Sequence, residues 1–259
     1  MPESRQVELD PVVGRGWYDG EAQIMHRHSQ GQLVYPTAGV LAVTTGRGTW
    51  VAAANGVAWT PAGFDHAHRA PARTEVVALM IPSELCTSLP DHPAVLGVSG
   101  LLREAMLALV AERTMRPQAR DRLLGVVVDE LTDAPEQSLY LPEPRDGRLR
   151  TVTELLRSDL ADARTLTELG REAGASARTL SRLFRAELGM SFHQWRTQLR
   201  IQHALVFLWQ GRSVTQTATL CGWSNPSSFV DAFSAIVGQT PGRYQAPQPQ
   251  SADQPVTAR

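Results

Sequence analysis

Two stretches decide the fold of this chain: residues 165–184, TLTELGREAGASARTLSRLF, and residues 213–233, SVTQTATLCGWSNPSSFVDAF. They are copies of one unit, as self-similarity at a fixed spacing signals. Leu166 aligns with Val214, Gly170 with Ala218, and Gly174 with Gly222. One extra residue enters the second turn. Beyond it Ser176 meets Asn225, Leu180 meets Phe229, Phe184 meets Phe233, Gly189 meets Gly238, and Ser191 meets Thr240. A small residue midway along the first helix (Gly170, Ala218) lets a second helix cross it closely. Glycine in the turn (Gly174, Gly222) accepts the left-handed conformation that ends a helix abruptly. Ser176 and Asn225 are strong N-caps for the helix that follows. Large apolar residues four apart anchor that helix and leave its other face free. Helix, glycine turn and capped helix together make a helix-turn-helix, and two aligned copies joined by a helical run from Gln194 to Trp209 predict a tandem pair.

The surrounding residues sharpen this. RTLSRLFRAELGMSFHQW, the connecting run with Arg196, Leu199, Arg200, Ile201, Ala204 and Leu208, and CGWSNPSSFVDAFSAIVGQTPGRY resemble the DNA-binding domain of AraC/XylS-type regulators over roughly residues 150–245. That resemblance implies two recognition helices placed in successive major grooves of double-stranded DNA, about 34 Å apart. The first would run from Ser176 to Leu188 and present Arg178, Ser181, Arg182 and Arg185, whose planar guanidinium groups suit guanine edges or phosphates. The second presents Asn225, Ser227, Ser228 and Asp231, without an arginine. A carboxylate facing DNA is unfavourable unless it accepts from a cytosine amine. The expectation is therefore an unequal pair, in which the first unit reads bases and the second clamps phosphate through its helix N-terminus.

Moving outward, residues 33–81 read as short strands: LVY, VLAVTT, TWVAAA, VAWT and EVVALMI, separated by Gly, Pro and Asn. Asn55-Gly56 predicts a type I′ hairpin between two of them, and Gly46-Arg47-Gly48 a second turn. The pattern predicts a small antiparallel barrel or sandwich. Leu101, Leu102, Ala105, Met106, Leu109 and Val110 then recur at helical spacing, and Pro117 opens a second helix through Leu123, Leu124, Val127, Val128 and Leu131. These two helices either cover the barrel or pair with a second copy of the chain. The predicted organisation is α+β: a barrel over 1–90, a helical dimerisation segment over 91–133, a linker over 134–149, the all-helical domain over 150–245, and a disordered tail over 246–259. Charge follows the same division. Residues 1–147 hold 12 Arg against 18 acidic residues, and residues 148–245 hold 12 Arg against 7; the chain has no lysine. A basic half joined to an acidic one suits one region that meets a polyanion and one that does not.

Histidines mark the barrel. His26 and His28 follow Gly20, with Gln32 and Gly39 beyond; Pro61, Gly63, His66 and His68 come later. Histidines at i and i+2 share one face of a strand, and a third from a neighbour completes a facial triad. The spacing resembles the two cupin motifs, with Gln32 in place of a glutamate and Ala70 in place of an asparagine. That resemblance implies a divalent transition metal held by His26, His28, Gln32 and His66, with glutamine a weak neutral ligand; a metal-free polar pocket of the same residues is the alternative. Trp50, Trp59 and His68 are candidate walls of an effector pocket, and core packing accounts for the tryptophans equally well.

The expected function is a non-enzymatic transcriptional regulator controlled by a small molecule or metal in the barrel, with operator DNA, a second copy of the chain and RNA polymerase as partners. Two rivals are a constitutive repressor whose barrel only dimerises and a metal-dependent cupin oxygenase. Cys86 and Cys221 are too isolated for a disulfide framework. With no secretory h-region near the N-terminus and no long apolar run, the expected location is the cytoplasm, off the membrane.

Overall fold

A computed structural model describes residues 14–18, 23–111 and 115–245; the predicted tail lies outside them. Nine strands are described: β1 (Gly14–Tyr18), β2 (Gly31–Ala38), β3 (Val40–Thr45), β4 (Gly48–Ala53), β5 (Gly56–Thr60), β6 (His66–Arg69), β7 (Thr74–Ile81), β8 (Ala94–Gly97) and β9 (Tyr140–Pro142). They form two antiparallel sheets, β1-β7-β2-β5-β8 and β6-β3-β4-β9. Among the described residues the arrangement is a sandwich rather than a closed barrel. Val34, Ala58, Val76 and Val95 on the inner face of the first sheet pack against Leu41, Val43, Trp50 and Ala52 of the second.

Both outer faces are covered, which explains why the strands read as near-continuous apolar runs instead of alternating. Helices α1 (Gly100–Leu109) and α2 (Pro117–Asp133) lie on the first sheet. Their stripe, Leu102, Ala105, Met106, Leu109, Val127, Val128 and Leu131, shares one core with Leu33, Tyr35, Val57, Trp59, Val77 and Leu79. The apolar face read as a dimerisation surface is thus spent on the sheet, and any pairing through these helices must use their outward sides. Leu101 alone of the predicted stripe is strongly exposed, at 57%.

Two expectations need correction. Asn55-Gly56 does not close a hairpin: β4 and β5 belong to different sheets. No described non-glycine residue has positive φ, and Gly56 is not among the positive-φ glycines, so type I′ geometry is excluded. Asn55 instead turns the chain from one sheet to the other, and its side-chain amide donates to the Val237 carbonyl at 3.1 Å. The stretch 134–149 is not a free linker either. It supplies β9, paired with β4 from Gly48 to Trp50, and buries Leu139 and Leu141. Its prolines fit because β9 is an edge strand, where a missing N–H breaks no ladder.

The C-terminal region comprises α3 (Gly147–Ser158), α4 (Leu166–Glu172), α5 (Ala177–Leu188), α6 (Phe192–Trp209), α7 (Val214–Leu220), α8 (Pro226–Val237) and α9 (Pro241–Gln245). Each start is locally encoded. Thr165 with Glu168, Ser191 with Gln194, and Ser213 with Gln216 form reciprocal capping boxes, while Ser176 and Asn225 cap α5 and α8. At Gly170 an added methyl would overlap the Ala175 carbonyl oxygen. Gly170→Ala is accordingly expected to cost about 1–3 kcal/mol through overpacking. Gly125→Ala, in open space on α2, should gain roughly 0.5–1 kcal/mol from helix propensity. Urea denaturation of both variants checks the pair, and equal effects would contradict the close crossing of α4 and α5.

Candidate functional site

The two repeats fold as α4-turn-α5 and α7-turn-α8, with α6 between them. Gly174 and Gly222 adopt φ of 62° and 76° in the turns, as the left-handed position requires. In the first unit, Leu180 and Phe184 are buried with Leu169, Leu188, Trp195 and Leu199. The opposite side of α5 carries Arg178, Ser181, Arg182 and Arg185, all exposed and one to two turns apart. Among the described residues no carboxylate pairs with these arginines, so their donors are free for phosphates or base edges. Ser176 caps the helix, accepting from the Thr179 amide at 3.2 Å.

The second unit buries Phe229, Phe233 and Val237 and exposes Asn225, Ser227, Ser228 and Asp231. The Asn225 side-chain oxygen accepts from the Ser227 amide at 2.9 Å. Both sets of residues read from the sequence therefore lie on exposed recognition-helix faces, and the contrast between three arginines and one aspartate persists in the folded chain.

Arg200 ties the units together. Its guanidinium donates to the carbonyls of Leu160, Gly222 and Asp162 at 2.8, 3.1 and 3.0 Å and sits over the Trp223 ring. It thereby joins the loop before α4 to the turn of the second unit.

A helix-turn-helix pair with an exposed basic face defines a DNA-binding transcriptional regulator. Residues 169–246 match the family described as a helix-turn-helix domain. The chain is 34% identical over 225 residues to the HTH-type transcriptional regulator NimR of Escherichia coli K12, covering 86% of this chain and 82% of that one. A DNA-binding transcriptional dual regulator from Escherichia coli K-12 aligns over 40% of this chain and 97% of its own, at 31% identity and TM-score 0.36. ToxT from Vibrio cholerae aligns over 89% of this chain and 97% of its own, at 11% identity and TM-score 0.40. The chain belongs to the AraC-type family of transcriptional regulators.

At one end of the sandwich the histidines converge. His26 bridges to His66, whose strand pairs with β3, so that His66 and His68 stand beside Thr45 and Val43 on the inner face. Ring centroids of His26 and His66 are 4.4 Å apart, those of His26 and His28 4.8 Å, and those of His66 and His68 5.1 Å. One nitrogen each from His26, His66 and His68 falls within a 4.8 Å group.

The outer nitrogens are held by acceptors. His26 Nδ1 lies 2.9 Å from the Ile24 carbonyl, His66 Nδ1 2.9 Å from the Phe64 carbonyl, and His68 Nδ1 3.0 Å from Gln23 Oε1. Donation from Nδ1 fixes the tautomer that leaves the Nε2 lone pair facing inward, the arrangement that surrounds metal-ligating histidines. The Nε2 atoms of His28 and His68 are buried without a hydrogen-bond partner.

Burial holds His66 down to about 4 and His68 well below its usual value; burial and the neighbouring His26 lower His28 as well. All three are neutral near pH 7. Gln32 approaches His66 Nε2 at 2.9 Å. The facing atom is Gln32 Oε1; with Nδ1–H of a neutral His66 committed to Phe64, a hydrogen bond here needs the glutamine amide turned over so that its NH2 donates.

The nitrogens that come together are those of His26, His66 and His68, with the His28 ring 4.8 Å from that of His26. His68, read as an effector-pocket residue, belongs to the histidine cluster, while Gln32 is engaged by His66. Trp50, Trp59 and His68 do not form a common wall. Trp59 is buried on the outer face of its sheet, beneath α1 and α2, with its indole N–H donated to Pro90. Trp50 points into the sandwich and stacks on Tyr140 at 4.3 Å. The signal for His68 was its i+2 spacing from His66, the same spacing that pairs His26 with His28.

Because His66 is depressed in the folded state, the unfolded chain binds more protons between pH 6.5 and about 4, and stability falls as pH drops through that window. Urea midpoints at pH 7 and pH 5 measure this; a higher midpoint at pH 5 would contradict it. On the DNA side, Arg182→Ala should relax base preference at one position by about 1–3 kcal/mol, while Ser227→Ala weakens all sequences alike. Binding to randomised operators separates the two effects, and equal loss of specificity from both variants would overturn the unequal roles.

Proposed function

We propose that this regulator binds its operator sequence-specifically and is controlled through its N-terminal sandwich, by a divalent transition metal held among His26, His28, His66 and His68 or by a small molecule at the same place. The single observation that carries the reading is the pair of buried Nε2 atoms on His28 and His68 without partners. Buried polar atoms without a partner cost roughly 1–3 kcal/mol each, and a bound group offsets that cost. A cluster of neutral imidazoles favours zinc, iron, nickel or copper over the hard cations that prefer oxygen. A metal here would be held by the inward-facing imidazole nitrogens and would supply a positive charge able to take a donor atom of an effector.

The protein's own part is to hold the imidazoles in one tautomer and to exclude water, through the carbonyls of Ile24 and Phe64 and the side chain of Gln23. Control of DNA binding then comes from the difference in ligand affinity between the DNA-competent arrangement and the other. The rival, a constitutive repressor, predicts no response to any ligand.

The test is elemental analysis of the purified full-length chain, combined with footprinting on an operator selected from random DNA. The reading predicts near-stoichiometric metal uptake, loss of at least about tenfold in metal affinity for His66→Ala, and operator occupancy that changes on chelation. Metal-free protein that binds the operator identically with and without added zinc or iron would sink it.

A further inference from the structure

Helices α5 and α8 match position for position. Each has 12 residues between a polar N-cap and a left-handed glycine, Gly189 in one and Gly238 in the other. Each buries its fourth, eighth and twelfth residues: Leu180, Phe184 and Leu188 in α5, and Phe229, Phe233 and Val237 in α8. Burial of the same three positions fixes the same rotation of each helix about its own axis. At about 100° per residue, the sixth position then stands roughly 160° from the middle of the buried stripe, facing away from the core. Arg182 occupies that position in α5 and Asp231 in α8, and both are exposed. The outermost point of the two recognition helices thus carries opposite charge in the two halves of one chain.

Nothing in the chain engages the Asp231 carboxylate. Among the described residues it makes no ion pair and no side-chain hydrogen bond, and one turn to either side stand Ser227 and Ala235. The rest of the exposed face is short as well, with Ser228 beside Ser227. The long arginines of α5 can reach base edges from a distance. Short side chains let the α8 backbone settle closer to the groove floor, which brings a short aspartate within reach. An ionised carboxylate can only accept hydrogen bonds. In the major groove guanine presents two acceptors, and thymine an acceptor and a methyl group. Adenine sets its amine beside the N7 acceptor, and cytosine alone presents an amine with no acceptor of its own next to it.

We propose that Asp231 is a specificity-determining residue that reads one cytosine in the operator segment under α8. A carboxylate oxygen accepts from the cytosine N4 amine, and the same charge rejects guanine and thymine at that position. Selectivity here comes from repulsion of the wrong bases as much as from attraction to the right one. The second unit then clamps phosphate through its helix N-terminus and adds a single base contact, while the arginines of α5 read the other segment. This proposal rests on sequence-specific operator binding and needs no ligand in the sandwich.

The experiment is selection of sites from random duplex DNA by the full-length parent chain, Asp231→Asn and Asp231→Ala, followed by competition binding with each base in turn at the selected positions. Arg182→Ala marks the α5 segment, and the other segment is then that of α8. In the parent, cytosine should be preferred over guanine or thymine at one α8 position by at least about tenfold. Asp231→Ala should reduce that preference to below about threefold, with affinity for random-sequence DNA undiminished because a negative charge has left the groove. Asp231→Asn should move the preference to adenine, whose N6 and N7 match the acceptor and donor of an amide. The position is exposed, and thermal melts that match the parent verify that both variants are folded. Unchanged base preference in the two variants, or a uniform loss of affinity on every sequence, would overturn the cytosine contact. Enrichment of a site without cytosine in the α8 segment overturns that contact alone, whereas a parent chain that enriches no sequence contradicts operator binding itself and this proposal with it.

Discussion

One helix is asked to pack in three directions. Phe192–Trp209 contributes Trp195 and Leu199 to the core of the first helix-turn-helix, and Ile201, Ala204, Leu205 and Leu208 to that of the second. The second core does not end at the DNA-binding region. Val40, Val51 and Ala53 of the sandwich and Leu139 from the strand that follows α2 belong to it as well. The sandwich is thus bolted to the connecting helix and the second recognition unit, while the first unit has a core of its own that Leu141 of β9 joins, with the Trp195 indole donating to the Pro142 carbonyl at 3.2 Å. Directional bonds fix the register of this contact: Gln202 donates to the Leu139 carbonyl at 3.0 Å, and the Trp209 indole donates to the Arg73 carbonyl at 3.1 Å. A buried, shared core moves as a unit or not at all, because tightly packed interiors transmit small displacements instead of absorbing them.

This arrangement gives the unequal recognition helices a physical context. The unit with free arginines, suited to reading bases, stands on its own core. The unit with Asp231 on its face stands on the sandwich. On the proposal that a ligand in the sandwich controls DNA binding, the shared core carries its effect first to the second recognition unit. Among the described residues no helix is long and apolar enough to cross a membrane.

The helical half was legible because its information is local. Caps, turn glycines and apolar pairs four residues apart are each a few positions long, and the repeat confirms every one of them twice. Strands β3 and β7 were equally plain from their apolar runs. What the sequence hid was set by partners distant along the chain. The strand His66–Arg69 alternates histidine with small or charged residues, so it has no apolar signature. The strand Tyr140–Pro142 is three residues between prolines, visible only once β4 is there to pair with it. Asn55-Gly56 carried the dipeptide of a hairpin, but sheet-to-sheet crossing overrode it. The histidine motif located the cluster, and only its folding showed that Gln32 pairs with His66 and that His68 completes the group.

The rigid connecting helix is tested most directly by the DNA itself. Hydroxyl-radical footprinting should show one chain protecting two major-groove segments about one helical turn apart. Insertion of about five base pairs between those segments turns them roughly half a turn out of phase, and a rigid helix then predicts loss of one protected segment together with most of the affinity. Retention of both segments at nearly unchanged affinity would mean that the two recognition units are flexibly joined, and would contradict the account.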